Sequence, residues 1–251
     1  MNTLDINELE KIDKESNSRS DLWINFINKY QLKNIVEVGV WKAKFASVIL
    51  KDCDCINKYF LVDPWEKLPM WNKPFNVQQE KFDKVYEEAL QNVSFASEKI
   101  VVLRGETKKA AEEIDDKTID FAYIDGDHTL RGITIDLIKI LPKIKDFGFI
   151  AGDDFVENIF HHGVDFDPSL VCPYSVYFAE AYNLKIILLP FSQFLIQKIP
   201  NGKFKFNNMT KKYQDLSVNI GYKYKKQEKK IQEQAEKNTM QAEKIKTQAE
   251  K

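Results

Sequence analysis

The sequence predicts a doubly wound α/β fold, a mostly parallel sheet covered by helices on both faces and carrying an antiparallel hairpin at one edge. Three observations predict it. Short apolar runs that read as strands alternate with segments of helical period from residue 35 to residue 151. The last two runs, 184–189 and 194–199, lie too close together for a crossover connection and so must pair antiparallel. Glycine is scarce at nine residues in 251, and four of the nine, Gly39, Gly105, Gly126 and Gly152, fall at the carboxyl ends of predicted strands. That is the rim where such a sheet binds ligands.

Residues 1 to about 30 read as helical, with Leu22, Trp23, Phe26, Ile27 and Tyr30 on one apolar face behind Ser20 or Asp21 as a cap. A strand at 35–38 and a helix from about Ala43 to Lys51 follow, and then a strand at 59–62. After a loop with Pro64, Pro69, Trp71 and Pro74, residues 77–95 are helical, with Val85, Ala89 and Val93 four apart. Strands are expected at 100–103, 119–124 and 147–151, with a short helix from Lys108 to Ile114 and a longer one from Ile133 to Lys145. Beyond an irregular segment holding His161 and His162, a helix at 174–182 leads into the hairpin. The expected divisions are an N-terminal helical segment (1–30), a main domain (31–205), a linker (206–221) and a tail (222–251).

The tail differs in composition. It holds nine lysines and five glutamates, a charge of +4, against −5 for the rest of a chain whose total is −1. Gln-Ala-Glu-Lys recurs every seven residues, at 234–237, 241–244 and 248–251. Ile231, Asn238 and Ile245 then share one heptad position and Ala235, Ala242 and Ala249 the other. The segment is expected to be a solvated lysine-rich helix or a weak oligomerising coiled coil. Its end on a repeat is what a fragment of a longer protein would show.

The near-zero net charge and the presence of only three arginines, Arg19, Arg104 and Arg131, exclude a basic nucleic-acid binder. No apolar run approaches the roughly 18 residues of a membrane span, and the acidic N-terminus lacks a signal core. Cys53, Cys55 and Cys172 have no zinc-like spacing, and an odd number of cysteines points to a reducing, cytoplasmic setting.

The strand ends carry the chemistry. Gly39 lets the backbone pass close to a ligand, and Asp63, about two dozen residues on, is placed to bind ribose hydroxyls. Gly-x-Gly-x-x-Gly is absent, so an adenosine ligand without a pyrophosphate fits better than a dinucleotide. Asp125, Asp127, Asp153 and Asp154 end two strands expected to be neighbours about 4.8 Å apart. Carboxylates that close repel unless a cation neutralises them, and an oxygen-only set suits Mg²⁺, Mn²⁺ or Ca²⁺. His128 is a base, a donor that supports a neighbouring ligand, or structural. His161 and His162 read as loop or substrate-contact residues, and Trp65 and Trp71 as walls of a substrate pocket or anchors of the Pro-rich loop.

The runs VEVGVWKAKFA, YFLVDPWE, DFAYIDGDHTLRGITIDL and GFIAGDDF resemble the class I S-adenosylmethionine-dependent methyltransferases. Within that class they are similar to the macrocin-O-methyltransferase-like branch, related to sugar and antibiotic O-methyltransferases and to cephalosporin-hydroxylase-like proteins. The resemblance spans roughly residues 20–200. It implies a Rossmann-like, seven-stranded sheet with the last strand antiparallel. It also implies that Glu37 and Gly39 line the methionine end of S-adenosyl-L-methionine, Asp63 the ribose, and Gly105 to Thr107 the adenine side. Asp125, Asp153 and Asp154 would hold Mg²⁺ or Mn²⁺, Asp125 also bordering the cofactor, with Asp127 the base beside His128. The acceptor would be a hydroxyl of a sugar, glycan or small metabolite, and the tail would supply any homo-oligomer contact. Ala43 departs from the glycine usual in the family, where its methyl group would crowd the cofactor. That departure and the tail motivate the alternative of a non-catalytic binding or scaffold protein. A hydroxylase-like relative would instead draw two histidines from His128, His161 and His162 to hold iron.

Overall fold

In the computed structural model the described residues are 3–156, 158–163, 165–210 and 216–249. Two helices precede the sheet. α1 (Ile6–Lys14) is capped by Asp5, whose carboxylate accepts from the Asn7 amide, and α2 (Arg19–Tyr30) by Ser18, whose hydroxyl accepts from the Asp21 amide. The cap is thus Ser18 rather than Ser20 or Asp21. Ser18 is the extended residue (φ −146°, ψ 167°), and its short side chain reaches back to the third helical amide. The consequence is functional, because Arg19 begins the helix and projects to the sheet's rim.

The chain then alternates as predicted: β1 (Asn34–Val38), α3 (Lys44–Asp52), β2 (Lys58–Asp63), α4 (Gln79–Asn92), β3 (Ile100–Arg104), α5 (Thr107–Ala110), β4 (Ile119–Ile124), α6 (Leu130–Ile140), β5 (Ile144–Gly152), α7 (Val171–Ala181), β6 (Lys185–Leu189), β7 (Gln193–Gln197) and β8 (Lys205–Asn208). The sheet order is β3-β2-β1-β4-β5-β7-β6-β8. Every neighbouring pair is parallel except those made by β7, which runs antiparallel to both β5 and β6. The expected hairpin is therefore present. The strand order reverses between β1 and β4, which opens a crevice above their carboxyl ends.

The sheet has eight strands, not seven. β8 adds to β6 in parallel, within a stretch expected as linker from residue 206, and its sequence Lys-Phe-Asn-Asn has no apolar run to announce it. The helix expected to reach Lys145 stops at Ile140. Pro142, which has no amide hydrogen to extend the ladder, sits in a 3-10 turn, and β5 begins at Ile144.

α2 anchors the core. Its buried Trp23 and Phe26 rest on the sheet face, with ring centroids 5.4 Å from Phe121 and 5.0 Å from Phe149 respectively. Phe45 of α3 stacks on Tyr123 at 4.1 Å. These contacts fix the first turn of α2 beside the ends of β4 and β5.

The chain divides into two units, residues 1–212 and 213–251. The second consists of α8 (Leu216–Ala249), on which Ile231, Met240 and Ile245 are exposed. No helix among the described residues is long and apolar enough to cross a membrane.

Candidate functional site

The crevice is a cavity of about 480 Å³ over the carboxyl ends of β1, β2, β4 and β5. Glu37, Gly39, Asp63, Thr107, Asp125, Asp127, His128, Asp153 and Asp154 all line it. Gly105 does not, although the next residues, Glu106 and Thr107, do.

The turn after β1 is held by Asp63. Its Oδ2 accepts the amides of Val40 and Trp41, each at 2.9 Å, and its Oδ1 accepts that of Trp65 at 2.7 Å. A carboxylate offers about four acceptor positions, so one on Oδ1 is left for a ligand hydroxyl. Gly39 has φ +85°, and a Cβ there would run into the Asp125 carbonyl and Gly126. The close approach is therefore to the β4 turn. Trp41 (φ 51°) and Ala43 (φ 52°) adopt left-handed conformations in the same loop. Ala43 is buried in the core and does not line the cavity. Trp65 is likewise buried, its indole N–H on the Trp41 carbonyl at 2.7 Å, which makes it an anchor.

Two buried acids lie along this wall. Glu37 accepts the Tyr59 hydroxyl at 2.6 Å. Burial nevertheless pushes its carboxyl up to about 8, against which the Tyr59 hydrogen bond works. Burial likewise lifts Asp136 of α6 to about 7, opposed by its hydrogen bond with Thr107. Both are neutral acids at pH 6.

The opposite side is a charge network. Arg19 pairs with Asp153 and, at 3.3 Å, with Asp125. Asp153 Oδ1 accepts the Gln193 amide at 2.6 Å, while Gln193 Oε1 accepts the Trp23 indole N–H at 2.8 Å and the Tyr123 hydroxyl at 2.9 Å. His128 Nδ1 lies 2.5 Å from Asp154 Oδ2, and its Nε2 3.4 Å from Asp125 Oδ1. Burial alone would lower the His128 pKa, but the hydrogen bonds and charges of the two aspartates push it up to about 10. Asp127, which lines the cavity, accepts the Trp71 indole N–H and the Thr129 amide on Oδ1, each at 3.0 Å.

Sequence reasoning missed Arg19, whose only signal was rarity among 37 basic residues. It also missed Gln193, a polar residue buried at the start of a strand. His161 and His162, read as loop residues, both turn toward Asp154.

Residues 36–155 match the family model described as a methyltransferase domain. A protein from Staphylococcus aureus described as a caffeoyl-CoA O-methyltransferase superposes with a TM-score of 0.54 at 15% identity, covering 78% of this chain and 90% of its own. The fold is that of a methyltransferase. A methyltransferase from Podospora anserina bound to SAH gives 0.52 at 17% identity, over 78% and 87% of the two chains. An O-methyltransferase from Bacillus cereus in complex with SAH gives 0.53 at 14%, over 78% and 92%. No curated protein matches. The shared fold and the match over residues 36–155 are what these comparisons show.

Proposed function

We propose that the protein is an S-adenosylmethionine-dependent O-methyltransferase that acts on a hydroxyl of a sugar, glycan or small metabolite. The observation that carries this is the cavity at the β1/β4 reversal, within the matched domain, whose lining includes both Asp63, fixed by three backbone amides, and Asp127, fixed through one oxygen. In this reading Asp63 Oδ1 receives a ribose hydroxyl, Glu37, Gly39 and Asp125 border the methionine end, and Thr107, just past Gly105, borders the adenine. S-adenosyl-L-methionine supplies an electrophilic methyl group. Asp127 Oδ2 takes the acceptor proton, Trp71 and Thr129 fixing the carboxylate through its other oxygen. His128, held between Asp125 and Asp154, borders the acceptor side of the cavity beside Asp127.

Mg²⁺ or Mn²⁺ held by Asp125, Asp153 and Asp154 would lower the pKa of a bound hydroxyl. As arranged, these carboxylates do not fit that ion, because Arg19 spans Asp125 and Asp153 and the Gln193 amide takes the second oxygen of Asp153. Ala43 gives no support to a non-catalytic reading, since it is buried and does not line the cavity. The three cysteines are free, in keeping with a proposed cytoplasmic location. The tail is proposed to self-associate weakly.

The test is transfer of labelled methyl from S-adenosylmethionine to a metabolite and glycan extract, alongside calorimetry of cofactor binding. Asp127→Asn should lower transfer about 10²–10⁴-fold while leaving cofactor affinity intact. Turnover unchanged by that substitution removes Asp127 as the base, and absence of cofactor binding removes the function.

A further inference from the structure

We propose that His128, Asp154 and His162 form a binding site for a divalent transition-metal cation, a site distinct in its donors from the all-carboxylate set. It concerns binding alone and stands whether or not the protein transfers methyl groups.

The chain has three histidines, at 128, 161 and 162, and all three aim a ring nitrogen at one atom. From Asp154 Oδ2, His128 Nδ1 lies at 2.5 Å, His161 Nε2 at 3.2 Å and His162 Nε2 at 3.7 Å. An ionised carboxylate oxygen has two lone-pair positions, so it cannot accept three N–H groups. A cation beside Asp154 Oδ2 would take lone pairs from His128 Nδ1 and His162 Nε2 in place of their protons. The donor atoms of His128, Asp154 and His162 lie within 4.8 Å of one another. Metal bonds of about 2.0–2.2 Å put neighbouring donors roughly 3–3.5 Å apart, so closing the site takes about an ångström of side-chain movement. His162 sits on the irregular segment between β5 and α7, where rotation of its side chain disturbs no ladder.

Two further observations bear on the rings themselves. Nδ1 of His162 is buried with no hydrogen-bond partner among the described residues, so no protein acceptor dictates which of its nitrogens carries the proton, and Nε2 can present a lone pair to an ion. His128 also has the support that metal-bound imidazoles have: its Nε2 faces Asp125 Oδ1 at 3.4 Å while its Nδ1 faces the cluster, and Asp125 is itself held by Arg19. Two nitrogens and one carboxylate favour Mn²⁺, Fe²⁺, Co²⁺ or Zn²⁺ over Mg²⁺ or Ca²⁺, which take oxygen ligands. All three donors line the cavity, so an ion there keeps open positions facing it.

The experiment uses tag-free, full-length protein stripped with a chelator and titrated with Co²⁺, read by visible d–d absorption and by calorimetry without a methyl donor. One equivalent should bind with a dissociation constant on the order of micromolar, and millimolar Mg²⁺ should not displace it. His162→Ala and His128→Ala should each weaken binding at least about tenfold, with far-UV circular dichroism unchanged. Asp153→Asn, which alters a carboxylate only the oxygen site would use, should change it less than about threefold. Absence of Co²⁺ uptake at 1 mM, or His162→Ala binding as the parent does, would overturn the site. Displacement by Mg²⁺ together with loss in Asp153→Asn would assign the ion to the carboxylates instead.

Discussion

Glu37 shows how burial alone sets the behaviour of a single residue. Its carboxyl is raised to about 8 in the fold, whereas in the unfolded chain it titrates near its ordinary value of 4.5. Between those values the native state keeps a proton that the unfolded state releases, so stability falls as pH rises, by up to about 1.4 kcal/mol per unit. Asp136, raised to about 7, acts in the same direction. Glu37→Gln should therefore flatten the loss of stability between pH 5 and pH 6.5 by about 1–2 kcal/mol, read from urea midpoints. Equal slopes in parent and variant would exclude a neutral Glu37. The β1 turn offers a paired test. Gly39→Ala forces a methyl group into the β4 backbone at φ +85° and should cost about 3 kcal/mol. Ala43→Gly should gain about 0.5–1 kcal/mol, because φ 52° strains any residue with a Cβ. A loss in the second variant would mean that the Ala43 methyl contributes more by packing than its conformation costs. The identity of the rim residues was legible from strand ends, but their roles were not: Asp63 reads in sequence as a ribose ligand, while its three backbone partners become visible only once the loop closes on it.

Among the elements, the parallel strands were legible because each is a short apolar run, whereas boundaries that depend on one cap or one proline shifted by several residues. The Ser18 cap and the stop at Pro142 are of that kind. Gln193 was illegible for a different reason, since its partners come from α2, β4 and the end of β5, far apart in sequence. It joins the core to the rim, linking Trp23 and Tyr123 to Asp153 and hence to Arg19. Gln193→Ala would leave a buried indole N–H and a buried phenol unpaired, and should cost about 2–4 kcal/mol in urea denaturation with an unchanged m-value. A cost under about 0.5 kcal/mol would show that the residue only fills space.

At the scale of the whole molecule, the net charge of −1 conceals an opposition between a body of −5 and a tail of +4. The doubly wound pattern located the cavity from sequence because ligand sites in such sheets follow topology. As metal ligands the histidines entered only through the alternative of a hydroxylase-like relative, because the irregular segment after β5 has no period to place His161 and His162. The heptad tail was legible as a pattern, and its seam is thin: Ile231 and Ile245 are 70% and 62% exposed, with Asn238 between them and alanines on the facing position. Burying two isoleucines per copy favours association, while nine lysines on each tail oppose it through charge that salt screens. The Debye length falls from about 8 Å at 0.15 M salt to about 3 Å at 1 M. Self-association of the full chain should therefore be weak at low salt, with a dissociation constant on the order of 100 µM, and should tighten at 1 M. Sedimentation equilibrium measures it directly. Ile231→Asn combined with Ile245→Asn should leave a monomer at both salts, because a polar group at each seam position removes the apolar contact without altering charge. Association of equal strength in that double variant would place the contact elsewhere on the chain, and a parent that stays monomeric at both salts would leave the repeat as a solvated helix.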